Sequence, residues 1–417
     1  MTRTEERLAD ALSAVAAAVP EETLRPLVTP PAARPRPRWV APAAAAASIV
    51  VLAGLVTAGA VVFGGNRAAG PLVPAAALAA VPQYYAEADQ DGRITVRATA
   101  TNEVTATLPL RAPQFGLGAV ASAGHGVFFA AGVPPHSTHE QVYRFRVTPA
   151  GKVDGLAAVP GSRLSASEAA DALAAAPGGA RVAVSIRVVE QRALVLPDRL
   201  IVIDTATGAR TEWRGGTRGR ARTFSVASLS WTGDGQRLAV AGQWCPPSGG
   251  TFLRTSIDCQ NDWEHRVAEV WLIRPAAGGG LLSHGQLLLR QSARYPYLAQ
   301  AVISPDGRRL TAMVLAGPDN GGPLPSSLTI RQIAVPSGRP LGVLYRRHLN
   351  VGASFESTVG PDPLSLTRDS TGQHWIVIAG VFPAANGWLY RGRLIPLVGF
   401  GGEGAGPKPT GPGFEAW

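Results

Sequence analysis

After about residue 82 the chain is built of short runs of Val, Ile, Leu and aromatic residues broken by turn signals, a pattern of strands and hairpins. One element recurs: an apolar run, a tight turn, then a second apolar run. SLSWTGDGQRLAVAG turns at Asp234 and Gly235, AVISPDGRRLTAMVL at Asp306 and Gly307, and LSLTRDSTGQHWIVIAG at Thr371 and Gly372. Weaker copies, ALAAAPGGARVAVSI and GAVASAGHGVFFAAG, turn around Gly178 and Gly124. Another strand-turn-strand element follows the copies, in YRFRVTPAGKVDGL, LIVIDTATGARTEW, VWLIRPAAGGGLL and LTIRQIAVPSGRPLGVL. Two alternating hairpins make a four-stranded unit. Its strands are apolar on both faces, as expected where each sheet is sandwiched between neighbouring sheets.

The first set of turns recurs about every 54 to 72 residues, longer than a usual WD40 repeat but compatible with blades that carry loop insertions. With ITVRATATNEVTATL as an opening half-unit, the count is about six blades. A sheet-on-sheet sandwich is the competing architecture, but it gives no reason for the element to recur. Radial repetition does, because each blade buries its faces on its neighbours and leaves only short edges. The expected fold class is therefore all-β, a β-propeller of about six blades. ISPDGRRLTAMV, LSWTGDGQRLAVAG and IVIDTATGARTEW resemble the repeats of TolB-like and WD40-like β-propellers, and the whole arrangement is similar to actinobacterial single-pass membrane proteins with such an outer domain. The Gly-His and Trp-Asp pairs of strict WD40 blades are missing. The resemblance bears on fold and leaves function open, since propellers host binding, scaffolding and catalysis alike.

The N-terminal part reads differently. Thr2 and Glu5 have capping-box spacing, and Leu8, Leu12, Val15 and Val19 recur at helical intervals before Pro20. TPPAARPRPR follows as a Pro-rich spacer. From Pro42 to Phe63 about 22 residues run without a charge, enough for a helix of about 33 Å that spans a bilayer core. Arg34, Arg36 and Arg38 precede it and only Arg67 follows closely, which places the N-terminus in the cytoplasm. A buried Ala-rich helix is the alternative. A cleaved signal peptide fits less well, because the charged region before the apolar stretch is long and Ala77-Leu78-Ala79, the nearest small-x-small site, lies far beyond it. The expected organisation is a cytosolic tail with a short amphipathic helix over 1–38, a transmembrane helix over 39–64 and a linker over 65–82. The propeller then occupies 83–398 on the extracytoplasmic side, and a Gly/Pro-rich tail over 399–417 is expected to be disordered.

Composition supports strands and turns, since only 16% of the 417 residues are charged while Gly (48) and Pro (35) are frequent. The net charge of +10 is carried by arginine, with Lys152 and Lys408 the only lysines. The arginines form no single stripe, so nucleic acid is not an expected partner. About +8 falls on the outer part, which makes anionic headgroups or wall polymers reasonable neighbours.

Cys245 and Cys259 are the only cysteines and fall in one insertion. On the outer face a disulfide between them would close a loop of about 15 residues and contribute about 3 kcal/mol; two free thiols are the alternative. A metal site is not expected, because no CxxC or His pair accompanies them. The same insertion holds Trp244, Asp258, Asp262, Trp263 and Glu264, a candidate recognition loop of aromatics and carboxylates. His136, His139 and Glu140 form an HxxHE cluster that matches neither HExxH nor HxxEH and reads as exposed loop residues. No GxSxG, GxxxxGK[ST] or SxxK motif occurs, and no cofactor is implied. The leading expectation is a membrane-anchored module that binds an extracytoplasmic protein or glycan and is not an enzyme. Two alternatives stand beside it: a transmembrane regulator whose cytosolic helix holds a transcription or sigma factor, and an extracytoplasmic carbohydrate-active enzyme working through paired carboxylates.

Overall fold

The structure is a computed structural model that describes residues 82–88, 93–111, 119–188, 199–214, 217–218, 222–245, 267–280, 284–291, 297–316, 327–348, 364–369, 374–379, 387–390, 393–396 and 415–416. The chain divides into two units, Met1–Leu72 and Val73–Trp417, and every described residue belongs to the second. Among the described residues no helix is long and apolar enough to cross a membrane. The expected amphipathic helix and the apolar segment 42–63 lie outside them.

Strand is the dominant regular structure of the described residues. The first sheet contains β1 (Tyr84–Ala88), β2 (Arg93–Ala98) and β3 (Val104–Arg111), and the second β4 (Val120–Gly124), β5 (Val127–Gly132), β6 (Gln141–Val147) and β7 (Val153–Ala158). The third is formed by β8 (Glu168–Ala175), β9 (Arg181–Val188), β10 (Arg199–Asp204) and β11 (Arg210–Arg214). The fourth runs through β12 (Thr217–Arg218), β13 (Arg222–Trp231), β14 (Leu238–Cys245) and β15 (Val267–Ile273); the chain then lends β16 (Gly279–Gly280) to the third sheet before β17 (Gln286–Gln291) completes the fourth. The fifth comprises β18 (Tyr297–Ile303), β19 (Arg309–Ala316), β20 (Ser327–Ala334) and β21 (Pro340–His348). The sixth comprises β22 (Leu364–Arg368), β23 (His374–Ala379), β24 (Gly387–Tyr390) and β25 (Arg393–Pro396). Each sheet is an antiparallel meander, apart from the parallel pairing of β16 with β11.

A last strand, β26 (Glu415–Ala416), pairs antiparallel with β1 and takes the inner position of the first sheet. This corrects the expectation of a tail disordered to its end: Ala86 and Glu87 offer a strand edge, and Ala416 and Glu415 fill it. The inner strands β26, β4, β8, β13, β18 and β22 lie beside one another in that order, and β22 returns to β26. Sheets following one another around a closed ring of inner strands are the arrangement of a β-propeller.

The cores lie between the sheets. In β5 all six residues are buried, because Phe128 packs toward the first sheet with Phe145 and Ile94 while Phe129 packs toward the third with Val182 and Ile201. Burying a side chain of that size contributes about 2 to 3 kcal/mol. The third and fourth sheets meet through Trp213, Phe224, Trp231, Trp244 and Trp271, and the fourth and fifth through Val270, Leu272, Leu298, Ile303 and Val314. Strands sandwiched in this way cannot alternate apolar with polar, which is why the sequence shows apolar runs.

Candidate functional site

Alternating antiparallel strands give each sheet two unlike ends. At one end lie the short turns marked in the sequence. Thr232 Oγ1 donates to Asp234 Oδ1 at 2.5 Å, which also accepts Gln236 N at 2.9 Å. Ser304 Oγ donates to Asp306 Oδ1, which accepts Arg308 N at 3.0 Å. The hydroxyl and then the backbone N–H hold both carboxyls below the usual range; for Asp204 the backbone N–H and hydroxyl of Thr207 do the same. Gly235, at φ 62°, and Gly307, at φ 69°, complete turns that side chains would strain.

These turns are clasped together. Gly233 N donates to Pro305 O at 2.7 Å, and Arg181 donates to Gly235 O at 2.7 Å while its guanidinium carbon stands 5.4 Å from the centre of the Trp231 ring. Arg368, at the end of β22, reaches past β18 to donate to Trp231 O at 3.0 Å. Burial pushes its guanidinium down to about 10, against the opposing pull of Asp369 and Asp306.

The inner strands are joined by side chains rather than by a backbone ladder. Ser228 exchanges hydrogen bonds with Ala301, accepting its N–H at 3.1 Å and donating to its carbonyl at 3.0 Å, and Ser230 Oγ accepts Ile303 N at 2.9 Å. Gln300 Oε1 accepts Leu366 N at 2.7 Å, and from the connection before β6 Glu140 Oε2 accepts Ala170 N of β8 at 2.8 Å. Polar side chains thereby satisfy edge groups that a sheet would otherwise leave exposed.

At the other end the connections lengthen. The chain between β14 and β15 runs from 246 to 266, between β19 and β20 from 317 to 326, and between β21 and β22 from 349 to 363. His136, at φ 64°, is exposed here, and His139 Nδ1 lies 3.3 Å from Leu164 O. Glu140 corrects the reading of this cluster as exposed: it is 2% exposed and spends its carboxylate on the neighbouring strand. An ionic cluster stands at the same end of the third sheet, where Arg199 pairs with Glu168 and lies 3.5 Å from Glu212, itself 3.1 Å from Arg214.

Trp244 also departs from the sequence reading. It is 1% exposed, lies within β14, packs edge-on against Phe224 at 5.3 Å between ring centres, and donates its indole N–H to Glu269 Oε2 at 2.7 Å. Buried in this way it belongs to the core between two sheets, not to a recognition loop. Glu269 is fully buried and also accepts Trp271 Nε1 at 2.9 Å and Arg290 Nε at 2.7 Å. The backbone of Cys245 ends β14 where the insertion leaves the sheet. Asp258, Cys259, Asp262, Trp263 and Glu264 lie outside the described residues.

No family model and no curated protein matches the chain. Solved structures do. The putative TolB from Agrobacterium tumefaciens is 12% identical over 71% of this chain and 76% of its own, with a TM-score of 0.32. The Cps50 (Swd1) β-propeller domain of Myceliophteria thermophila is 10% identical over 75% and 80%, with a TM-score of 0.36. An oligogalacturonate lyase in complex with manganese is 11% identical over 69% of each chain, with a TM-score of 0.38. The propeller assignment rests on the sheet order and the ring of inner strands of this chain itself.

Glu269, Arg368 and the bridging Ser228, Ser230 and Gln300 escaped the sequence reading. Their one signal is a polar residue placed inside an apolar strand, as in SVASLSW, where serines alternate with buried Val226, Leu229 and Trp231.

Proposed function

We propose that the chain is a membrane-anchored, extracytoplasmic β-propeller of six blades that binds a protein or glycan partner through the end from which its long connections leave. The observation that carries this is the inequality of the two ends. The turn end is occupied by its own hydrogen bonds and by Arg368, whereas the other end gathers the long connections, the form in which rigid scaffolds present binding residues. A six-blade count follows from taking β26 as the inner strand of a blade completed by β1, β2 and β3. Anchoring is supported by the apolar run from Pro42 to Phe63 and its arginine-rich flank. A bridge between Cys245 and Cys259 would pin the longest insertion at its root.

Binding is favoured over catalysis because the buried glutamates among the described residues are held in structural contacts. Glu140 accepts a backbone N–H, Glu269 accepts two indoles and an arginine, and Glu87 pairs with Arg97. Affinity capture with the full-length chain from a membrane and wall extract tests the proposal. A defined partner should be retained by the parent chain and lost when residues 246–266 are replaced by a short Gly-Ser turn, with strand content unchanged. Retention by that variant together with loss on changing Gln236 or Arg308 at the turn end would overturn the assignment of the face. Carbonate extraction of membranes checks the anchor, which should resist it.

A further inference from the structure

The outer strands of the sheets are unequal. Of the four large apolar residues exposed among the described residues, two, Leu341 at 44% and Val343 at 51%, sit on β21, with Val104 and Leu287 on other strands. The first four residues of β21 are all exposed, and among the described residues its only strand partner is β20. Leu341 lies at a bulge in the pairing of β21 with β20, and Val343 follows two residues on in the same exposed stretch. From β20 through β21 the charged residues have one sign. Arg339, Arg346 and His348 are exposed, β21 contains no carboxylate, and Arg331, opposite Val343, has an Nε that finds no hydrogen-bond partner among the described residues. Partial burial already disfavours the charge of Arg331, so a carboxylate near it would be stabilising.

This chain already shows that an outer edge can accept another strand: β16 adds to β11, pairing Gly279 with Trp213 and Gly280 with Arg214. We infer that the edge of β21 away from β20 docks an extended acidic segment of a partner protein, which adds as a further strand and supplies carboxylates for the arginines and apolar side chains for Leu341 and Val343. A second copy of this chain is the poorer fit, because its β21 would bring the same cations to an edge without an acid. The inference is independent of the binding face proposed above.

The test is fluorescence anisotropy of the full-length chain in detergent with a dye-labelled peptide of alternating valine and glutamate. The comparators are a valine-lysine peptide and the glutamate peptide with a central proline. The glutamate peptide should bind, weaken with added salt, and lose about tenfold or more in affinity to a Leu341→Asp, Val343→Asp double variant and to Arg346→Glu, both of which alter exposed positions. The lysine and proline peptides should bind at least about tenfold more weakly. Equal binding of the lysine peptide, no binding of the glutamate peptide, or unchanged affinity in variants with an unaltered melting temperature would overturn the inference. Concentration-dependent self-association of the parent chain that Val343→Asp abolishes would assign the edge to a second copy instead.

Discussion

Glu269 is the residue on which the packing of the third sheet against the fourth turns. Its carboxylate has no exposure and serves two indole donors and one guanidinium, so removing it leaves Trp244 and Trp271 with unanswered N–H groups in an aromatic core. Glu269→Ala should cost about 3 to 5 kcal/mol in denaturant unfolding. The turn aspartates act differently. Asp204, Asp234 and Asp306 have folded pKa values held below those of the unfolded chain, so they stabilise fully above about pH 4 and lose that contribution as pH falls through their folded values. An Asp234→Asn, Asp306→Asn variant should therefore show a flatter acid limb in a plot of denaturation midpoint against pH. Trp244 shows where residue-level reading stops. It stands beside Cys245 at the mouth of an insertion and looks like part of a loop, and its burial is decided by a glutamate 25 positions later.

The hairpins marked by T-G-D-G and S-P-D-G were legible because turn chemistry is local: hydroxyl, carboxylate and glycine sit within four residues and bond to one another. Gly126 is an equally local case. Its φ is 72° and an added Cβ would stand 2.7 Å from Val147 O, so Gly126→Ala should destabilise by about 1 to 2 kcal/mol, measurable as a lowered denaturation midpoint. The strands β12, β16 and β26 were not legible, since two residues carry no periodicity and Gly279-Gly280 or Glu415-Ala416 become strands only through a distant partner. For the same reason the serine and glutamine bridges between inner strands were missed: each depends on a backbone group more than 60 residues away.

At the scale of the molecule, closure through β26 couples the two ends of the propeller unit. Removing the residues after 413 should take away the inner edge of the first sheet while leaving every other pairing in place. The expected outcome is faster amide exchange in β1 and β4, the strands beside β26, and earlier thermal unfolding of the first sheet than of the rest. In the intact chain, the circular dichroism and calorimetric transitions should coincide, because each sheet is packed between two others.

The pairing of Ala86 with Ala416 also sets a timetable for synthesis. The two partners are separated by about 330 residues, so at a translation rate of about 5 to 20 residues per second β1 waits tens of seconds for the strand that completes its sheet. Throughout that interval the nascent propeller is an open arc with an unfilled slot at its leading end. A chaperone, or a strand from another chain, has that long to occupy the slot before β26 arrives.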